Sequence, residues 1–226
     1  MDPYVAFMIE RFRNPKDTGG HPVRARMGPE RLLAFSDGVL AIVITLMILE
    51  IKLPSVPHGA SGDEVRAAFS GLWPHLVAYA LSFLLLALFW INHHNLFISV
   101  RGSTNTLLWH NCHVLFWVSL VPLTTAFLGE HYELPQATLY YGIVQMAILL
   151  SSNLMIWHMH RKGLFHAQLS PAVQRFYTRL NGATGLLTLV ATFAGFISTW
   201  LAIGIYLVIV ALYFLPRPIE MVEKVE

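Results

Sequence analysis

The amino-acid sequence predicts an all-α integral membrane protein with six transmembrane helices. Hydrophobic residues make up 55 % of its 226 residues and charged residues only 12 %, whereas soluble domains carry about 25 % charged residues. The charges lie near the N-terminus and in short segments between long apolar stretches, a pattern typical of membrane proteins. With six spans, nearly all Lys and Arg residues also fall on one side of the membrane.

Four long apolar runs predict the first four spans, because about 20 apolar residues cross a bilayer as a helix. The runs cover about residues 31–53, 73–97, 106–128 and 136–157. No charged residue lies between Arg179 and Arg217, a stretch too long for one span at about 1.5 Å per residue. It therefore predicts a hairpin of two helices, about residues 176–195 and 199–216, that turns near Ser198.

The basic residues predict the orientation of the chain. Six spans place both termini on one side, and of the 15 Lys and Arg residues only Lys52 and Arg66 then fall on the other side. Because Lys and Arg are retained in the cytoplasm, we expect a multi-pass protein of the cell membrane with both termini cytoplasmic.

Three segments follow from this topology. Residues 1–30 are predicted to be a flexible, basic cytoplasmic arm, residues 31–216 the six-helix transmembrane domain and residues 217–226 a cytoplasmic tail. The Pro and Gly residues of the arm favour an irregular chain, and its charge favours contact with anionic lipid over a specific partner site. The single cysteine, Cys112, excludes an internal disulfide and a CxxC metal site. We expect no enzymatic activity and no nucleic-acid partner.

Asp37 is the only acidic residue well inside a predicted span. A charge within a bilayer costs about 2.5–3.5 kcal/mol on insertion scales and usually faces the bundle interior or a water-filled path. Asp37 could pair with Arg31 or a histidine and hold helices together, or it could lie at a pore mouth or in a proton path. The two interpretations are compatible.

Residues at helical spacing form stripes along the first span. One stripe joins Asp37 with Leu40/Ala41, Ile44/Thr45 and Ile48, and an overlapping one joins Ile42, Thr45/Leu46 and Leu49. Such stripes in a spanning helix are most often lipid-facing or packing surfaces. Periodicity alone therefore favours those surfaces over a pore lining.

Three segments resemble the endosomal and lysosomal potassium channels of the transmembrane protein 175 type and their six-helix bacterial relatives. The first span begins with R-x-x-x-F-S-D, followed by A-I-x-I-T-L-x-x-L and a proline, and the second contains W-I-N-H-H. The third carries an asparagine that also agrees with the family. The resemblance covers residues 31–128 and rests on Arg31, Phe35, Ser36, Asp37, Trp90, His93, His94 and Asn111.

The resemblance implies a homotetramer whose four first helices surround a potassium pathway. Counting from the aspartate, it implies a narrow apolar constriction at Ile42, with Thr45 one turn further and apolar layers at Leu46 and Leu49. Side chains form this filter, so we expect a cation channel of modest potassium selectivity. The expected partners are further copies of the chain, membrane lipid and the permeant potassium ion, with no cofactor and no metal site.

Two details stay open at the level of the sequence. Thr45 can turn its hydroxyl to the pore, or bond a backbone carbonyl one turn back and leave the pore apolar. A polar network behind the pore is predicted to join Arg31, Ser36 and Asp37 with residues of the next two spans. The second span contributes Trp90 and one of His93 and His94, and the third contributes Asn111.

Two rival functions compete with the channel. Histidines in neighbouring spans can hold haem or a metal, yet the chain has no H-E-x-x-H motif and no acidic ligands at matching depth. A proton-coupled membrane transporter would use Asp37 and the membrane histidines as a relay. Broken helices in two repeated halves would favour the transporter, and the two halves of this sequence do not mirror each other.

Overall fold

The computed structural model describes residues 29–165 and 171–213, with side chains described except at 171–177. These residues form helices and connecting loops and contain no regular β-strand. The helices are α1 Pro29–Leu46, α2 Gly62–Ser70, α3 Trp73–Ile98, α4 Asn105–Ser119, α5 Val121–Glu130, α6 Pro135–Arg161, α7 Pro171–Ala194 and α8 Thr199–Tyr213. The predicted tail and all but two residues of the predicted arm lie outside the described residues.

Four helical segments have the length and apolar composition of membrane spans. They are Pro29–Glu50, Trp73–Ile98, Asn105–Glu130 and Pro135–Arg161. Their bounds lie within a few residues of the first four predicted runs. A shorter apolar helix covers Thr199–Tyr213.

The first span changes geometry near its end. After Leu46 the chain continues as a 3-10 turn over Met47–Glu50, and Ile51 is extended, so regular helix ends before the predicted Leu53. The tighter turn lets the last carbonyls of the helix find partners, since the Ile51 N–H bonds the Ile48 carbonyl at 3.2 Å.

The third span is two helices rather than the single predicted run. Pro122 follows the break at Leu120 and has no N–H to donate to the preceding turn. The Thr124 hydroxyl donates to the carbonyl oxygens of Leu120 and Val121, at 3.3 and 3.2 Å. A side chain thus bonds backbone carbonyls at the break, which lipid could not do.

Helix α2 lies in the loop after the first span and was not among the predicted elements. It begins with a capping box, in which Ser61 Oγ accepts from the Glu64 N–H and the Glu64 carboxylate accepts from the Ser61 N–H. These hydrogen bonds hold the pKa of Glu64 below its ordinary value. The S-x-x-E pattern is a sequence signal that could have located this helix.

Helices α1, α3, α4 and α6, with the start of α5, share one hydrophobic core, and α3, α5, α6, α7 and α8 share another. Leu40, Met47, Leu107 and Val114 are fully buried in the first core, and Tyr141 and Tyr206 in the second. Helix α1 packs mainly on α3 and α4. It therefore lies at the side of the bundle, with one face uncovered.

Candidate functional site

The two faces of α1 differ in burial. Its buried residues are Leu32, Ser36, Leu40 and Val43, followed by Met47 in the 3-10 turn. On the other face Ile42 is 58 % exposed, Leu46 46 % and Leu49 72 %, and Gly38, Ala41 and Thr45 are also exposed. A spanning helix with such an apolar face must present it to lipid or to another chain.

A buried hydrogen-bond chain joins α1, α3 and α4. The Ser36 hydroxyl donates to the Leu32 carbonyl at 2.9 Å and accepts from Asn111 Nδ2 at 2.8 Å. Asn111 Oδ1 and His93 Nε2 are 2.9 Å apart. The amide oxygen can only accept, so His93 carries its proton on Nε2 in this arrangement. Ser36 and Asn111 are fully buried and His93 nearly so; the chain thus fixes the packing of three helices.

Asp37 has its own partners on α3. Trp90 Nε1 donates to Asp37 Oδ1 at 2.9 Å, and His94 Nδ1 lies 3.8 Å from Asp37 Oδ2, with both side chains about one-third exposed. The Trp90 and His94 rings also contact each other, with 5.7 Å between their centroids. At 3.8 Å the His94–Asp37 contact is electrostatic rather than a hydrogen bond, and it is an ion pair when His94 is protonated.

The structure thus places six of the eight motif residues in two adjacent groups. His93 and His94 both take part, His93 with Ser36 and Asn111, and His94 with Asp37. Arg31 is exposed and has no hydrogen bond or ion pair to another described residue of the same chain. Phe35 is likewise exposed.

The Thr45 hydroxyl bonds the backbone of its own helix. It lies 2.9 Å from the Ala41 carbonyl oxygen and 3.0 Å from that of Ile42. The hydroxyl proton is therefore occupied, while the lone pairs of the oxygen stay on the exposed face. This is the backbone-bonded alternative of the two that the sequence left open.

A second buried network escaped the sequence analysis. The Thr125 hydroxyl donates to Ser82 Oγ at 2.7 Å, and Ser82 Oγ lies 3.0 Å from the Tyr141 hydroxyl. Thr125, Ser82 and Tyr141 come from α5, α3 and α6, so residues 43 and 59 positions apart in the chain meet. No local sequence pattern predicts which of these residues pair. The sequence shows only that hydroxyl residues occur within apolar spans.

Two histidines on different helices lie close together. The rings of His110 on α4 and His158 on α6 have centroids 5.0 Å apart. Among residues 29–165 and 171–213, no group of three or more His, Cys, Asp or Glu side chains could hold a metal ion.

Comparisons with known proteins identify the family. A model of the endosomal/lysosomal potassium channel TMEM175 matches residues 31–122. The chain is 34 % identical over 202 residues to a potassium channel of Chryseobacterium sp. strain P1-3, which covers 86 % of this chain and 95 % of that one. It is 33 % identical over 180 residues to the endosomal/lysosomal proton channel TMEM175 of Rattus norvegicus, covering 73 % of this chain and 36 % of the rat protein.

A solved structure agrees with the fold. The lysosomal potassium-selective channel TMEM175 homologue from Chamaesiphon minutus matches with a TM-score of 0.68 at 31 % identity, covering 82 % of this chain and 95 % of that one. The resemblance seen in the R-x-x-x-F-S-D segment is thereby confirmed over most of the chain. Because the similarity extends along nearly the whole length of bacterial relatives, this chain belongs to the TMEM175 family, which is a family of ion channels and not of enzymes.

Proposed function

We propose that the chain is a potassium channel of modest selectivity, in which the exposed faces of α1 from four copies surround the pore. One observation carries the proposal: α1 leaves an apolar stripe with one hydroxyl uncovered and turns Ser36 and Asp37 toward α3 and α4. The potassium channels among the relatives support the choice of ion.

Ile42 forms the constriction in this proposal. Four isoleucine side chains around an axis make a hydrophobic ring that stops ions by dewetting rather than by a plug. The β-branched side chain is stiff at χ1, so the ring keeps its diameter. Leu46 and Leu49 continue the apolar conduit. Between them and Ile42, Thr45 donates its hydroxyl proton to the backbone and offers its oxygen to the pore only as an acceptor.

The proposed topology has six spans with both termini in the cytoplasm. Helix α7 has 24 residues, or about 36 Å of helix, which is enough to cross the hydrocarbon core. It forms a hairpin with α8 across a short turn, closed by Ile197 and Ser198 N–H bonds to the Ala194 carbonyl. The protein then lies in the cell membrane with Arg101, Arg161 and Lys162 on the cytoplasmic side.

Ile42→Asn tests the pore assignment. The amide should wet the constriction and raise the current of both potassium and sodium by an order of magnitude or more, measured with purified protein in a planar bilayer. Ile143→Asn is the matched control, since Ile143 is 48 % exposed but lies on α6. Equal currents from the parent and the Ile42→Asn variant, at equal incorporation, would place the pore elsewhere.

Proton conduction is the second candidate function. The Asp37 carboxylate lies 3.8 Å from His94 Nδ1 beside the proposed pore, and the rat relative is a proton channel. In the same bilayer, a pH gradient without a potassium gradient separates the two functions. A reversal potential that follows the proton gradient, and that moves toward zero in His94→Gln, supports proton conduction.

A further inference from the structure

We propose that the cytoplasmic ends of α3 and α6 together form a binding site for the phosphate group of an anionic phospholipid. The site comprises the Arg101–Phe165 tie and two cations beside it, Arg161 and Lys162. We define the tie as the contact between the α3–α4 loop at Val100 and Arg101 and the chain after α6 at Leu164 and Phe165. It goes beyond ion conduction and does not depend on which ion the pore carries.

Backbone bonds hold the tie together. The Arg101 N–H donates to the Leu164 carbonyl at 2.8 Å, and Val100 pairs with Phe165 as an isolated antiparallel bridge. Arg101 Nε donates to the Phe165 carbonyl at 2.7 Å. The Arg101 guanidinium is therefore held in one direction, so its side chain would lose little conformational entropy when an anion binds.

The end of α6 brings two more cations to the tie. Gly163 has φ +58°, and the N–H groups of Gly163 and Leu164 bond the carbonyls of His160 and Met159 at 3.1 Å each. This glycine-terminated cap turns the chain back toward Arg101. Lys162 and Leu164 are two residues apart, so the backbones of Lys162 and Arg101 are only a few residue lengths from each other.

Arg161 and Trp157 place the site at the membrane surface. The Arg161 guanidinium carbon lies 4.8 Å from the centroid of the Trp157 ring, one helical turn deeper on α6. Trp157 is 53 % exposed, as expected of a tryptophan at the level of lipid headgroups. A cation above an exposed interfacial tryptophan is in reach of a lipid phosphate rather than of the protein interior.

Among residues 29–165 and 171–213, no carboxylate pairs with Arg101, Arg161 or Lys162. The sequence contains no Asp or Glu from residue 65 to 129 or from 134 to 219. The contacts to carboxylates within the described residues are instead made by Arg66 and His94. An external anion is therefore the natural counter-charge, and the neighbouring apolar spans favour one carried by a lipid.

Thermal melting of the purified full-length protein in detergent tests the proposal. Dioleoylphosphatidylglycerol is titrated against the parent, Lys162→Gln and Arg161→Gln, and the rise in melting temperature gives an apparent affinity. Each lost charge should weaken that affinity about fivefold. Arg66→Gln, an exposed cation on the opposite side of the membrane, is the matched control and should titrate like the parent.

Two further arms identify the source of the anion. Dioleoylphosphatidylcholine should give no saturable rise, and inorganic phosphate at the same concentration should give none either. If Arg161→Gln melts lower without lipid because its contact with Trp157 is lost, Lys162→Gln alone decides the result. A parent-like titration by Lys162→Gln, a rise with phosphatidylcholine equal to that with phosphatidylglycerol, or a rise with phosphate alone would overturn the lipid site.

Discussion

At the scale of single residues, Thr45 and Asp37 make different kinds of hydrogen bond from the same helix. Thr45 donates its proton to the backbone and leaves its lone pairs on the exposed face of α1. The Asp37 carboxylate accepts a hydrogen bond from Trp90 on α3. A hydroxyl that donates to a carbonyl keeps its capacity to accept, and a cation needs only an acceptor. Backbone bonding and ion coordination are therefore compatible at Thr45.

Thr45→Val should lower the potassium-to-sodium permeability ratio toward one while leaving a conducting pore. Valine keeps the shape of threonine and removes the only side-chain oxygen in the proposed apolar conduit. Potassium is dehydrated more easily than sodium, so even a weak oxygen ring favours it. Reversal potentials in bi-ionic solutions measure the ratio. Thr45→Ser, which keeps the oxygen, should have a permeability ratio near that of the parent. If Thr45→Val also keeps the parent ratio, another layer of the pore must provide the selectivity.

Asp37→Ala should destabilise the assembled protein, because it removes the acceptor of the Trp90 Nε1–H bond. A lost hydrogen bond to a charged group costs about 1.5–3 kcal/mol, discounted here because the Asp37 side chain is 36 % exposed. The measurement is the fraction of intact oligomer in size-exclusion chromatography. Asp37→Asn retains an acceptor oxygen and should assemble better than the alanine variant. If alanine and parent assemble equally, the carboxylate does not clamp these helices.

At the scale of elements, glycine and threonine let α6 and α7 approach closely. A Cβ atom on Gly142 would overlap the Thr192 side chain, and one on Gly195, just after α7, would overlap Thr138. The two contacts are reciprocal, with Thr138 and Gly142 one turn apart on α6. Small residues at such crossings let helices associate within lipid by close packing, where no hydrophobic effect drives them together.

Gly142→Val should therefore destabilise the bundle by about 1–3 kcal/mol, the usual cost of overpacking. A lower midpoint in a thermal melt of the detergent-solubilised protein would report it. Gly182→Ala on α7 is the control, since a Cβ there meets nothing within 4 Å. Adding Thr192→Gly to the valine variant should recover part of the loss; no recovery would mean that the Gly142–Thr192 contact is not the cause.

At the scale of the whole molecule, the distribution of charge sets the proposed orientation. Lys and Arg cluster on one side of the six proposed spans, and the α1–α3 loop on the other side carries Glu50, Asp63 and Glu64. In this proposed orientation, the tie between Arg101 and Phe165 lies on the basic side and the capped helix α2 on the acidic side. The two ends of the bundle are thus chemically distinct.

Cysteine labelling checks that orientation. In a Cys112→Ser background, which is free of other cysteines, Ser55→Cys should react with a membrane-impermeant maleimide added to intact cells. Ser99→Cys should react only after the membrane is permeabilised, because the proposed topology places it on the cytoplasmic side. Both serines are exposed, so accessibility within the protein does not separate them. The reverse pattern would invert the topology.

The sequence by itself determined the membrane class, the first four spans and the residues of the R-x-x-x-F-S-D motif. Hydrophobic length and the placement of charge are local properties, and a helix satisfies its backbone bonds within one segment. The tertiary structure alone decided which partners those residues take: Trp90 for Asp37, and Asn111 with His93 for Ser36. It also decided the hydroxyl network of Ser82, which joins residues 43 and 59 positions apart. Such pairs depend on how each helix is rotated and how deep it lies relative to its neighbours. Packing between helices sets both, and the sequence of a single apolar stretch carries little information about that packing.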